Sequence, residues 1–112
     1  MNFKDKVVIV TGGTRGIGLE VAKSFYEKEA NVIIFGSKKE SVDKAVEELS
    51  KDNILVEGYY PNLNNYQEVV ETIDKIYNKY KRIDVLINNA GISANKKIED
   101  TISMLNKTGQ ID

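Results

Sequence analysis

Four glycines stand at positions 12, 13, 16 and 18, directly behind the apolar run Val7–Val10. A strand that ends in a glycine turn and opens a helix points backbone N–H groups at whatever lies above it. The helix dipole adds partial positive charge there, so the product is an anion site, most often for a phosphate. Gly12 permits the tight turn, Gly16 lets the backbone approach a pyrophosphate without a Cβ in the way, and Gly18 lets the helix pack close. A second cluster, Asn88-Asn89-Ala90-Gly91, directly follows the apolar run Ile83–Ile87. The chain has no cysteine and no histidine, so disulfides, thiolate or imidazole metal ligands and a histidine base are all excluded. An oxygen-only metal site needs an Asp-rich loop, and no such spacing occurs.

These clusters have to be positioned by the elements around them. Val7–Val10, Asn31–Phe35, Ile83–Ile87 and the weaker Ile54–Tyr60 are short, rich in Val and Ile, and bounded by turn residues, as strands are. Between them run helical faces: Leu19, Ala22, Phe25 and Tyr26; then Val42, Ala45, Val46 and Leu49; then Val69, Ile73, Ile76, Tyr77 and Tyr80, which Asn64 or Asn65 caps. The alternation is β-α-β-α-β-α-β. Strands apolar without alternation expect cover on both faces, hence a parallel sheet. Right-handed crossovers then predict an α/β fold, a Rossmann-type doubly wound sheet of about four strands in the order 3-2-1-4. In that order the first and fourth strands flank the topological switch point, and Thr11–Gly18 and Asn88–Gly91 converge on one crevice. The fourth strand, Asp84–Asn88, is an edge beside which Val85, Leu86 and Ile87 lie unpaired. Cover over Val7–Val10 is expected to be partial, and self-association to follow.

The net charge is −1, without a stripe of one sign, which speaks against a nucleic-acid or membrane-surface binder. Val7–Val10 is too short for a signal peptide or a membrane span. A cytoplasmic protein is expected. Heavy use of Lys, Asn and Ile, with Arg only at 15 and 82, suggests a bacterial source.

Thr-Gly-Gly-Thr-Arg-Gly-Ile-Gly together with Asn-Asn-Ala-Gly resembles the classical short-chain dehydrogenase/reductase family over about Phe3 to Ile92. The similarity is to the N-terminal half of β-ketoacyl-acyl-carrier-protein reductases and bacterial hydroxysteroid dehydrogenases. The resemblance implies NAD(H) or NADP(H) as cofactor and interconversion of ketones and alcohols. It implies that Gly12, Thr14, Arg15 and Ile17 hold the phosphate end, Asn62 and Leu63 flank the adenine, and Asn89, Ala90 and Gly91 line the ribose and nicotinamide side. Asn62 departs mildly from the Asp that many members carry. Residues 1–92 then form a dinucleotide-binding half-domain, and residues 93–112 a divergent tail.

An acid at the end of the second strand would bind ribose hydroxyls and repel a 2′-phosphate. Gly36-Ser37-Lys38-Lys39 offers none at 36 or 37, and Arg15 is near enough to help, which favours NADP(H) over NAD(H). Ser37 and Glu40 also have the spacing of a capping box for the next helix.

The family resemblance further implies a Tyr-x-x-x-Lys pair, in which the tyrosine is the general acid/base and the lysine lowers its pKa. Tyr77 and Lys81 match formally. They precede Asn-Asn-Ala-Gly rather than follow it, and Tyr77 continues a core face, so the match is rejected. In the tail, Ile98, Ile102 and Leu105 are spaced for one face of a short helix. Leu105–Gly109 either echoes the family's catalytic-asparagine segment, with Asn106 in that role, or is an unrelated fragment end. The expectation is the cofactor-binding portion of a short-chain oxidoreductase, truncated after strand 4 and inactive alone, with a complementing C-terminal half or self-association. The alternative is a catalytically inert nucleotide-binding or interaction module.

Overall fold

The computed structural model describes residues 2–50, 56–89 and 95–110. Their elements are β1 (Val7–Thr11), α1 (Gly16–Glu27), β2 (Asn31–Phe35), α2 (Lys39–Leu49), β3 (Val56–Tyr59), α3 (Tyr66–Tyr80), β4 (Val85–Asn88) and α4 (Asn95–Thr108). The strands form one parallel sheet in the order β3-β2-β1-β4. This is the Rossmann-type arrangement that the run spacing predicts. In register, Val8 of β1 lies opposite Val32 of β2 and Val85 of β4.

The two-residue period of a strand sorts the core into two layers. Val7, Ile9, Ile33 and Phe35 face α3 and α4, where they meet Val69, Ile73, Ile76, Ile98 and Leu105. Val8, Val10, Val32 and Ile34 face α1 and α2, where they meet Ala22, Ala45 and Leu49. Asp84 ties the start of β1 to that of β4. Its carboxylate accepts from the Val7 N–H at 2.8 Å, and its own N–H donates to the Val7 carbonyl at 2.9 Å.

Three expectations are corrected. Val7–Val10 is not partly bare: each of the four residues is at most 1% exposed. On the face of Val7 and Ile9, α3 is joined by α4, which runs for 14 residues rather than as a short helix. It places Ile98 and Leu105 in the core and packs Ile102 against it. The Ser37–Glu40 capping box does not form. Helix α2 starts at Lys39 with Lys38 as N-cap and has no side-chain cap hydrogen bond. That start puts Ser37 a residue too early, outside the cap position from which its hydroxyl would reach the first turn. Of the two candidate caps of α3, Asn65 is the one used: its Oδ1 accepts from the Glu68 N–H at 3.1 Å. The part of the expected third strand at 54–55 lies outside the described residues.

The two edges of the sheet differ. At the β3 edge, the Glu57 carboxylate accepts from the hydroxyls of Tyr59 (2.8 Å) and Tyr80 and from the Lys79 ammonium. A charge in the middle of an edge strand deters pairing with another chain. At the β4 edge, Val85, Leu86 and Ile87 are half-buried and carry no charge.

Burial alone would raise the Glu57 pKa, but donation from Lys79, Tyr80 and Tyr59 outweighs it and holds the carboxyl below its usual range. Burial and the same carboxylate push the Tyr59 hydroxyl up to about 12, and Tyr80 higher still. A carboxyl depressed in the folded state stabilises fully above its unfolded pKa, and that contribution fades as pH falls through the folded value. Glu57→Gln is therefore expected to cost about 1–2 kcal/mol near neutrality. It should also flatten the loss of stability below about pH 4.5. Thermal melts between about pH 3 and 7 check both effects; parallel curves for the two proteins would contradict the assignment.

Candidate functional site

The site is built where β1 gives way to α1. Thr11 is fully buried at the end of β1, and its hydroxyl oxygen accepts from the Asn89 N–H at 3.1 Å. Gly12 and Gly16 take φ of 66° and 58°, the left-handed region that costs other residues about 1–2 kcal/mol. The Gly13 N–H donates to the Phe35 carbonyl at 3.2 Å, which fixes the loop to β2. Gly18 has the tightest surroundings. A Cβ there would lie 2.0 Å from the Gly12 carbonyl oxygen and 2.7 Å from Asn89 Nδ2. The helix thus packs on its own loop and on the end of β4. Asn89 completes the joint by donating from Nδ2 to the Gly12 carbonyl at 3.2 Å.

Helix α1 begins on extended Arg15, with no side-chain cap and no acidic residue in its first turn. Nothing negative on that turn competes for its N-terminal N–H groups, which suits an incoming anion. Beside it opens a cavity of about 360 Å³ lined by Gly12, Thr14, Arg15, Phe35, Gly36, Ser37, Leu63 and Asn89. Its wall carries one cationic side chain at Arg15, two hydroxyls at Thr14 and Ser37, and an apolar surface at Leu63 and Phe35. Among the described residues no cluster of His, Cys, Asp and Glu is arranged to hold a metal ion.

The cavity brings together Gly12, Thr14, Arg15, Ser37, Leu63 and Asn89, six of the residues singled out from the sequence. Gly16 and Ile17 turn to a neighbouring shallow hollow on α1, with Ile17 75% exposed. Asn62 shapes the loop rather than the wall. Its Oδ1 accepts from the Asn64 N–H at 3.0 Å, and its own N–H donates to Glu68 at 2.8 Å. Ala90 and Gly91 lie outside the described residues. Phe35 and Gly36 also line the cavity without having been assigned to it from the sequence; their signal is their place at the end of β2, beside Ser37.

Tyr77, Lys81 and Asn106, the three residues with a formal catalytic reading, lie elsewhere. Helix α3 runs back from the crevice side, so its final turn, with Tyr77, reaches the strand N-termini. Tyr77 packs there against the core layer, and Lys81 closes the helix in the left-handed region. Asn106 is likewise engaged at the far end. Its Nδ2 donates to the Ile83 carbonyl at 2.8 Å, and its Oδ1 accepts from the Ile83 N–H at 3.4 Å. Ile83 precedes β4, whereas the crevice lies beyond Asn88. Asn106 therefore clamps the entry of β4, and the Asn88 side chain meets α4 through Glu99 at 2.9 Å.

A glycine-loop phosphate cradle at the switch point of a 3-2-1-4 sheet defines the nucleotide-binding class of doubly wound proteins. The family model described as short chain dehydrogenase matches residues 6–107, and the chain belongs to that family. The match continues through most of α4. A 3α-hydroxysteroid dehydrogenase of Mediterraneibacter gnavus is 44% identical over 95 residues, covering 83% of this chain and 38% of that protein. The 2-keto-3-deoxy-D-gluconate dehydrogenase of Streptococcus agalactiae superposes with a TM-score of 0.82 at 26% identity, covering 90% of this chain and 46% of that one. A metagenomic short-chain oxidoreductase solved in complex with NADP gives a TM-score of 0.85 at 19% identity over 93% of this chain and 57% of that one. The chain thus spans well under two thirds of the length of these relatives. No helix among the described residues is long and apolar enough to cross a membrane.

The glycine geometry orders two substitutions. Gly18→Ala sets a methyl against a backbone carbonyl that cannot turn away, and is expected to cost about 1–3 kcal/mol. A Cβ at Gly16 would meet nothing within 4 Å, so Gly16→Ala should cost only the left-handed penalty of about 1 kcal/mol. Urea titrations of both variants test this order; a larger loss for Gly16→Ala would contradict the packing described.

Proposed function

We propose that this chain is the NAD(P)(H)-binding portion of an oxidoreductase that interconverts a ketone and a secondary alcohol, and that it takes NADP(H) in preference to NAD(H). The observation that carries the reading is the convergence of Gly12, Thr14, Arg15, Ser37, Leu63 and Asn89 on one cavity at the N-terminus of α1. Gly12, Gly16 and Gly18 let the loop and helix approach the pyrophosphate, with Thr14, Arg15 and Ile17 around it. Leu63 flanks the adenine, on the loop that Asn62 shapes. Asn89, Ala90 and Gly91 border the ribose and nicotinamide. No carboxylate lines the cavity, while Arg15 and Ser37 do, which supports room and charge for a 2′-phosphate.

A bound reduced nicotinamide supplies hydride. The carbonyl oxygen that receives it needs a proton, and positioned acid catalysis contributes about 10²–10⁴-fold. The chain offers no histidine, and Tyr77 and Lys81 lie at the far end of α3. In this reading it binds and orients the cofactor and is inactive alone. The acid and the substrate walls come from a complementing C-terminal half, for which the uncharged β4 edge provides the docking strand. The uncharged edge also supports self-association. The work is done in a bacterial cytoplasm.

Calorimetric titration is expected to give tighter binding of NADP(H) than of NAD(H), with the order reversed in Ser37→Asp. Tighter NAD(H) binding by the unmutated chain would refute the cofactor preference. NAD(P)H oxidation against β-ketoacyl thioesters and ketosteroids should be absent for the chain alone. It should appear when a polypeptide bearing the Tyr-x-x-x-Lys segment is added. Turnover by the chain alone would refute the division of labour. Cofactor binding with no turnover under either condition would favour an inert binding module.

A further inference from the structure

Position 36 is where the second strand reaches the cavity, and it is a place where a carboxylate would take up ribose hydroxyls. The backbone there is fixed, since the Gly36 N–H donates to the Tyr59 carbonyl at 3.1 Å. A Cβ on Gly36 would lie 2.5 Å from Thr14 Cγ2 and 2.7 Å from Val42 Cγ2. Both methyls belong to β-branched side chains, which are stiff about χ1. Val42 is 1% exposed and is also hemmed in from its other side. A Cβ on Gly58 of β3 would lie 2.3 Å from Val42 Cγ1. One valine of α2 is therefore seated between glycines of two neighbouring strand segments. It cannot retreat from position 36 without pressing on β3. Thr14 is held between Gly13, tied to β2 through the Phe35 carbonyl, and Arg15, the N-cap of α1.

We infer that Thr14 and Val42 jointly bar any side chain from position 36, so that discrimination between cofactors with and without a 2′-phosphate is delegated to position 37 and Arg15. The inference rests on the dinucleotide reading above and adds Val42, a residue outside the cavity wall, as a positioning residue for specificity. An acid at 36 does not generate an NAD(H) site in this chain; an acid at 37 does. Removing the two obstructing methyls reopens position 36.

The test compares the unmutated chain with Gly36→Ala, Gly36→Asp, Ser37→Asp, the pair Thr14→Ser with Val42→Ala, and that pair combined with Gly36→Ala or Gly36→Asp. Thermal melts and calorimetric titration with NADP(H) and NAD(H) are read for each. Gly36→Ala is expected to lower Tm by about 5–15 °C and to weaken both cofactors about tenfold. In the relieved pair the further loss from Gly36→Ala should be much smaller. Gly36→Asp alone should leave NAD(H) no better bound, whereas Ser37→Asp, and Gly36→Asp in the relieved pair, should shift preference toward NAD(H). A Gly36→Asp chain with unchanged Tm that prefers NAD(H) would overturn the inference, as would strictly additive Tm losses. If Gly36→Ala fails to fold, refolding in the relieved background supports the exclusion and continued failure overturns it. An unmutated chain that binds neither cofactor would bring down the dinucleotide reading, while the melts still decide whether position 36 is barred.

Discussion

The closeness of Gly18 to the Gly12 carbonyl is the constraint on which the rest of the molecule turns. Without a Cβ at that point, α1 starts directly over the end of β1, and Asn89 reaches across to the same carbonyl. That one joint fixes three things together: the direction of the helix dipole, the curvature of the glycine loop, and the end of β4. The amide donors of the loop and of the first turn of α1 are held together by that coincidence rather than by any single polar side chain.

The sheet behind the joint is arranged to keep it rigid. Both faces of β1 are sealed, one by α1 and α2 and the other by α3 and α4. Asp84 and Asn106 hold the opposite end of β4 by bonds to Val7 and Ile83. Polar side chains thus grip backbone at both ends of the β1–β4 pair, while branched apolar residues fill its middle. The polar grip at the far end has no part in ligand chemistry. It sets the register on which the ligand end depends.

Much of this was legible in the residue order. Val7–Val10, Asn31–Phe35 and Ile83–Ile87 announce strands by composition and length, and the glycine loop announces the switch point. What was not legible depends on contacts between segments distant in the chain. The tail offered Ile98, Ile102 and Leu105 at helical spacing, but nothing local says that α4 will run on to Thr108 and close the second face. Ser37 and Glu40 have capping spacing, yet the helix starts at Lys39, because the end of β2 sets where the chain leaves the sheet. Asn106 carried a catalytic suggestion through its neighbours in sequence, and its neighbours in space give it a structural one. Nothing local to Gly36 or Gly58 signals that the Val42 side chain lies against both.

The pairing of β1 with both β2 and β4 has a consequence for how the chain is made. Strand β1 leaves the ribosome ahead of both its partners, and the second is encoded far downstream: Val8 pairs with Val85. At about 5–20 residues per second, that partner follows roughly 4 to 15 s later. Until then β1 can join only β2, once Asn31–Phe35 has emerged, and its other flank stays open. A nascent chain of this topology therefore needs its early βαβ unit to be self-supporting, or else a chaperone to shield the open flank.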